Sequence, residues 1–564
     1  MKFSEFKYQR PDLEAIEKQI TKDLNEFNNA ESADVQCRVI ESINEIRKNF
    51  STLYNIASIN YSIDTENAFY EEEKKFFDDN SPVFTGLITK YYKALTESKF
   101  KPELEQKCGK LLFKIAETAM KAYDPIINDD LVRENELCTE YNKLIASAKI
   151  MYEGEERNIA GMEPFMLSTD REKRKEANEA KWKYYADHAE ELDRIFDELV
   201  KLRHSMAVKM GYKNYVELGY YRMGRIDYNA DDVKKFRDYV KKYAVPIAAK
   251  LKQRQAQRLG LDTLEYYDGA LDFNSGNATP KGSPEWILNN AKKMYEELSE
   301  ETGEFFNFMV RNELMDLVNK KGKEAGGYCT FIDDYKSPFI FSNFNNTSHD
   351  IIVLTHEAGH AYQAYESRNF DLIEYHNPTM EACEIHSMSM ELLTWPWMQS
   401  FFKEDTEKYK FSALNGCMIF LPYGTAVDEF QHCVYENPEF TPQERKAAWR
   451  KIEKKYLPLL QYGDNEYLEN GGRWQAQRHI YESPFYYIDY CLAQISAFEF
   501  WRKANANREK TMTDYIKLCK VGGSQSYTEL LKVPKLGSPF IEECFEQNVT
   551  YVEDWLDKVD DTVL

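Results

Sequence analysis

Three shortages stand out in this 564-residue sequence. The first concerns cysteine pairing: ten cysteines are scattered along the chain without a single Cys-x-x-Cys pair. That pattern argues against a disulfide framework or a thiolate zinc site and fits reduced thiols in a cytoplasmic protein. The second shortage is positive charge. Lys plus Arg number 73 against 95 Asp plus Glu, a formal net charge of -22, which repels phosphate backbones and argues against nucleic acid as a partner. The third is long apolar runs. "MKFSEFKYQRPDLEAIEKQI" has no uninterrupted apolar stretch or small-residue cleavage site, so it does not read as a secretory signal. "SPFYYIDYCLAQISAFEFW" comes nearest to a membrane span and carries Asp489 and Glu499, so no membrane partner is expected. Fixed-period repeats and low-complexity tracts are also missing. The oligomeric state is not legible.

What is present is a globular composition with helical patterning. Hydrophobic residues make up 43% and charged residues 30%, enough for a sizeable core under a solvated surface. Thr169 followed by Glu172 forms a capping box ahead of a helical stretch that closes near Gly211. Val233, Phe236, Val240 and Tyr243 trace one buried face, Pro246 predicts a kink and Gly260 a stop. Ser283-Pro284, Thr441-Pro442-Gln443-Glu444 and Ser483-Pro484 mark further helix starts. "YYDGALDFNSGNATPKGSP" is a turn-rich connector, and Thr330 to Phe344, just after Gly326-Gly327, is the one persuasive strand pair. The expected fold is mainly α, with residues 1-205 as an N-terminal helical half and 206-564 as a half carrying the chemistry.

That chemistry centres on His356-Glu357-Ala358-Gly359-His360. Residues four apart on a helix differ by about 40° in azimuth and about 6 Å in height, so His356 and His360 can converge on one ion. Thr347 or Ser348 can cap this helix, and Ile351, Ile352, Val353 and Leu354 can bury its first turns. Glu357 points to a flank of the ion, where its carboxylate can act as general base. A catalytic zinc needs a third protein ligand. "NPTMEACEIHSMSMELLTW" offers Glu381, Glu384, His386 and Glu391; Glu381 and Glu384 share a face, so that one can bind and the other can orient a histidine. His386 lies about 200° from Glu384 on the same helix.

The pairing of this motif with Glu384-Ile385-His386-Ser387-Met388-Ser389-Met390-Glu391 resembles the thimet oligopeptidase and oligoendopeptidase F family of zinc peptidases, closest to the bacterial oligoendopeptidase F and Pz-peptidase types. The resemblance implies one zinc per chain on His356, His360 and Glu384, with Glu357 catalytic and Glu381 left as the orienting neighbour. In "GGRWQAQRHIYESPFYYIDYCLAQ", His479 is expected in a loop ahead of a helix that starts at Ser483-Pro484, with Tyr486 and Tyr490 one turn apart and Tyr487 beside them. By resemblance these four face the substrate carbonyl. Two departures are visible: the nearest glycines, Gly471 and Gly472, lie upstream of His479, and Gln363 stands where many relatives have a further histidine. Upstream, "AGGYCTF" and "PFIFSNFN" suit a strand edge that pairs with an extended peptide, which nominates Gly326, Gly327, Tyr328, Asn343 and Phe344 for substrate binding.

The family's architecture implies two mostly helical halves around a deep cleft, with a small β-sheet beside the zinc helix. Its activity implies endopeptidase action on short peptides, among them collagen-derived or proline-containing ones. Two other readings fit the residues. A carboxypeptidase or dipeptidyl carboxypeptidase could hold a terminal carboxylate with Arg473 or Arg478. A silent peptide-binding scaffold would need no Glu357. Cobalt or manganese could bind the same donors.

Overall fold

Helix ends in this chain follow the side chains able to satisfy them. In the computed structural model, which describes residues 1–564, Ser283 caps Pro284–Leu298, and Thr441 caps Pro442–Tyr456 through a capping box with Glu444. Both match the sequence signals. The helix expected from Thr169 starts one residue later, because the Asp170 carboxylate accepts from the Glu172 and Lys173 amides. It ends at Asp187, and a second helix covers Ala189–Lys209. Before Pro246 the chain widens into a π turn, Val240–Ala244. The proline ring would clash with a carbonyl four residues back, and the wider turn absorbs that clash. Gly260, at φ +68, then closes the helix Val245–Leu259. No helix is long and apolar enough to cross a membrane.

The strands are few. β1 (Ile150–Tyr152) and β2 (Glu155–Arg157) form an antiparallel hairpin too short to show a period in the sequence. β3 (Met315–Val318), β4 (Tyr328–Ile332) and β5 (Ser337–Phe344) form the second sheet, in the order β3-β5-β4. The expected antiparallel pair is β4 with β5, while β3 joins β5 in parallel from the other side. The segment "PFIFSNFN" therefore occupies the central strand and is not an edge. Its near-continuous burial fits a strand covered on both faces. β3 and β4 are the two edges of the sheet.

Three helices carry the chemistry: the motif helix (His349–Ser367), the glutamate helix (Met380–Leu393) and the tyrosine helix (Tyr487–Ala506). The motif helix packs on β4 and β5, and the glutamate helix lies between the other two. Neither Thr347 nor Ser348 caps the motif helix by its side chain. Asp350, in the first turn, instead accepts from the amides of Asn345 and Asn346 at 2.9 and 2.8 Å.

The core is divided. A satellite core joins residues between Ile20 and Ala116 to one distant side chain, Tyr375. The main core takes in most of the chain from Ile127 onward, together with Phe6, Ile56 and Ile59 from the N-terminal helices. The expected division at 205/206 falls inside the helix Ala189–Lys209, whose Leu192, Ile195, Phe196 and Leu199 belong to the main core. Tyr375 reaches the satellite core from the link between the motif and glutamate helices. Its hydroxyl donates to the Cys108 carbonyl at 2.7 Å and accepts from the Leu112 amide at 3.2 Å. Beside it, Glu374 pairs with Arg47 at 2.5 Å and accepts from Tyr92 at 2.8 Å.

Candidate active site

Close approach of the motif and glutamate helices creates the site, and Gly359 permits it. A Cβ at that position would stand 2.6 Å from the His386 carbonyl oxygen and from Ser387 Cα. With glycine there, Glu384 Oε2 sits 3.2 Å from His356 Nε2 and 3.4 Å from His360 Nε2. Donors bound to one tetrahedral zinc at roughly 2.0–2.1 Å stand about 3.3 Å apart. Both distances suit neighbouring corners of such an ion, the three donor atoms all lie within 4.8 Å of one another, and the donor set suits zinc. Burial would raise the Glu384 carboxyl, but the two imidazoles hold it well below the usual carboxylate range. Its Oε2 also accepts from Ser387 Oγ at 2.8 Å, and its Oε1 from the Tyr486 hydroxyl.

The histidine's orienting partner is not the expected one. His356 Nδ1 pairs with Glu391 Oε1 at 2.7 Å, which fixes the ring so that Nε2 faces the other donors. Glu381, one turn before Glu384, faces away from the imidazoles. Its Oε1 accepts from Thr379 at 2.9 Å, and its Oε2 has no partner. Burial and the nearby Asp489 push its carboxyl well up. The signal for Glu391 was spacing: seven residues after Glu384, it lies within about 20° of the same stripe.

Glu357 is buried, with Oε2 unpartnered. Burial raises its carboxyl against the opposing pull of the two imidazoles, so it can hold a proton more readily than an ordinary glutamate. The glycine pair stands in front of it. Gly326 takes φ +97, and a Cβ on Gly327 would lie 2.9 Å from Val353 Cγ1 and 3.4 Å from Glu357 Oε1. Asn343 Nδ2 pins this loop by donating to the Glu324 and Gly326 carbonyls, both at 2.8 Å. Tyr328 stacks on Phe341 at 4.8 Å. Phe344 is buried in the main core. Of the five residues nominated for substrate, Asn343 and Phe344 thus serve the loop and the core, because β5 is central. On β4, Phe331 faces Pro338, which has no amide, so the main-chain groups of Cys329 and Phe331 point to the free edge. There Asn55 already donates to the Phe331 carbonyl at 2.8 Å.

His479 lies in a short helix, Arg478–Glu482, rather than in a loop. A relay fixes its tautomer: Tyr423 donates to Gln477 Oε1 at 2.9 Å, and Gln477 Nε2 donates to His479 Nδ1 at 2.8 Å. Burial and the neighbouring Arg478 lower the His479 pKa to about 4, so at neutral pH the ring carries one proton, on Nε2. That proton points to the Tyr490 hydroxyl at 3.1 Å, which leaves the hydroxyl's own hydrogen free to donate elsewhere. Residue types alone did not reveal Tyr423 and Gln477. Tyr487 makes no side-chain hydrogen bond and packs its ring 5.0 Å from His479. The tyrosine helix starts at Tyr487, not Ser483, because Phe485 is left-handed at φ +67; such a residue costs about 1–2 kcal/mol.

The remaining candidates lie further out. Arg473 bonds Glu453 at 3.3 Å, while Arg478 bonds Glu482 and the Ala325 carbonyl. Gln363 donates to Ser367 Oγ and the His376 carbonyl, both at 2.9 Å, so it pins a link and stays away from the donor set. A cavity of about 570 Å³ opens beside the site, lined by Ile352, Met388, Glu391, Phe420, His479 and Tyr490 among others. A larger one of about 790 Å³, between Phe84, Ile115 and Ile226, touches none of the site residues.

Known proteins resemble this chain in both sequence and fold. Residues 3–123 match the peptidase M3 N-terminal domain. An oligoendopeptidase F homolog of Borreliella burgdorferi is 25% identical over 235 residues, 40% of this chain and 39% of that protein. The plasmid oligoendopeptidase F of Lactococcus lactis subsp. cremoris is 24% identical over 250 residues, 41% of this chain and 39% of that one. The chain thus spans about two fifths of the length of these curated relatives. The solved structure of Pz peptidase A with inhibitor 2 is 55% identical, covers 100% of both chains and superposes with a TM-score of 0.99. Since the model of peptidase family M3 itself matches residues 165–548, which hold all three candidate metal donors and the tyrosine helix, this chain belongs to that family.

Proposed function

We propose that this protein is a zinc-dependent endopeptidase that hydrolyses internal bonds of short peptides. The observation that carries the proposal is the spacing of Glu384 Oε2 at 3.2 and 3.4 Å from two imidazole Nε2 atoms, with a buried, unpartnered Glu357 alongside. Zinc held by His356, His360 and Glu384 would polarise the scissile carbonyl and make water a better nucleophile. Glu357 takes the proton from the attacking water and returns it to the leaving amine. Tyr490, supplied with a hydrogen bond by His479, donates its own hydrogen to the oxyanion, while Tyr486 steadies Glu384. An extended peptide pairs with the β4 edge at Cys329, and Gly327 leaves room for it in front of Glu357.

Two observations favour internal cleavage over the carboxypeptidase reading. Arg473 is engaged by Glu453, and Arg478 by Glu482, so neither offers a free cation to a terminal carboxylate. Likeness to Pz peptidase A supports collagen-derived or proline-containing peptides as substrates. Ten unpaired cysteines support a reducing, cytoplasmic setting.

A length series of peptides blocked at both ends, incubated with and without a chelator and read by mass spectrometry, tests the reading. Internal cleavage that the chelator abolishes, strongest for short peptides, is the expected result. Trimming confined to peptides with a free C-terminus would replace it with the exopeptidase reading. Complete inactivity with zinc supplied would leave only a binding scaffold.

A further inference from the structure

The tyrosine wall depends on a residue that carries no chemistry of its own. Phe485 is fully buried and left-handed, a conformation that a bulky residue keeps only where its surroundings impose it. Three side-chain positions impose it here. The Phe485 amide donates to Gln431 Oε1 at 2.7 Å, and its carbonyl accepts from Arg225 Nη2 at 2.5 Å. Its ring fills the space over Gly219, where a Cβ would lie 2.6 Å from ring atom Cδ2.

Arg225 and Gln431 are themselves buried, at 4% and 0% exposure. Arg225 also bonds Asp489 Oδ1 at 2.7 Å, in the first turn of the tyrosine helix, and its guanidinium lies 4.3 Å from the Tyr220 ring centre. Its Nε and Nη1 have no partner. A buried guanidinium with unmet donors is a poor device for stability alone. Its two bonds both end on the turn that launches the tyrosine helix. From that turn Tyr486 reaches Glu384 and Tyr490 reaches His479.

We propose that Arg225, Gln431 and Gly219 are positioning residues for peptide hydrolysis: they hold Phe485 left-handed and thereby set Tyr486 and Tyr490 against Glu384 and His479. A right-handed Phe485 would let the helix begin at Ser483-Pro484, as the sequence signals, and would draw the short helix with His479 out of line with Tyr490. The inference rests on the zinc-peptidase reading.

Gln431→Leu removes one pin without touching a charge, and Arg225→Lys keeps the charge toward Asp489 but loses the planar fork. Each is made alone and together with Tyr490→Phe. Each single variant is expected to lower kcat by about 10- to 100-fold, the scale of a small misplacement. KM, thermal midpoint and bound zinc measured by mass spectrometry should stay near wild type. In the Tyr490→Phe background the further loss should shrink to within about threefold, because both changes act on one contact. Equal losses in both backgrounds, a loss that tracks bound zinc, or an unchanged kcat in Gln431→Leu would overturn the proposal. If Arg225→Lys does not fold, Gln431→Leu decides alone. An inactive wild type would overturn the zinc-peptidase reading together with this inference, whereas an active wild type with unaffected variants overturns this inference only.

Discussion

Two glutamates on adjoining helices meet opposite electrostatic settings, and the difference divides their work. Glu384 faces both imidazoles and stays ionised, as a metal ligand must. Burial raises the Glu357 carboxyl, which suits a group that takes and returns a proton. Glu357→Gln keeps the shape and removes the proposed base. It should retain bound zinc and lower kcat by about 10²- to 10⁴-fold, as zinc content and steady-state turnover on one peptide will show. Turnover within tenfold of wild type would assign the proton to another group. At this scale much of the site was legible, because the four-residue spacing of His356 and His360 is fixed by the helical period. Glu391 shares the stripe with Glu384, but Glu381 shares its face too. Only the direction in which the two helices cross decides between them, and that depends on Gly359.

Elements obey their local signals until a tertiary contact outbids them. The starts at Ser283 and Thr441 are where local chemistry puts them. The start signalled by Ser483-Pro484 is overridden by two buried side chains that bond Phe485, neither of them near it in sequence. Glycine, proline and alternating aromatics made β4 and β5 legible. β3 has four residues and no alternation, so its place beside β5 was hidden, and with it the fact that β5 is central. Gly327 turns this arrangement into a prediction. Gly327→Ala would bring a methyl against Val353 and the Glu357 carboxylate. It should lower kcat/KM by about tenfold, or about 1.4 kcal/mol, within the range of a mild overpacking penalty. Bound zinc should be unchanged, since the donors lie on other elements. An alanine variant with full kcat/KM would show that the space before Glu357 is not used.

For the whole molecule, buried histidines make stability depend on pH. His432 pairs with the Tyr220 hydroxyl at 3.1 Å. Burial lowers its pKa to about 4, despite Asp428 nearby. The unfolded chain takes up this proton below about 6.5, while the folded chain resists until about 4. Between those values the unfolded state binds more protons, so the histidine's contribution to stability falls as pH falls, by up to about 3 kcal/mol. His432→Gln is expected to be less stable than wild type at pH 7, with the gap narrowing at pH 5 in urea unfolding. A gap that stays constant would mean that His432 is not held neutral. The mainly helical class was legible from periodicity. The expected boundary at 205/206 falls within the helix Ala189–Lys209.

Tyr375 and Glu374 give the division a consequence for heredity. The link between the two donor-bearing helices is seated in the N-terminal helices, against Cys108, Leu112, Arg47 and Tyr92. A chimera that replaced the first 123 residues with a relative's would present that seat with foreign partners and shift the link that spaces the donors. The two family segments are thus expected to exchange poorly by recombination.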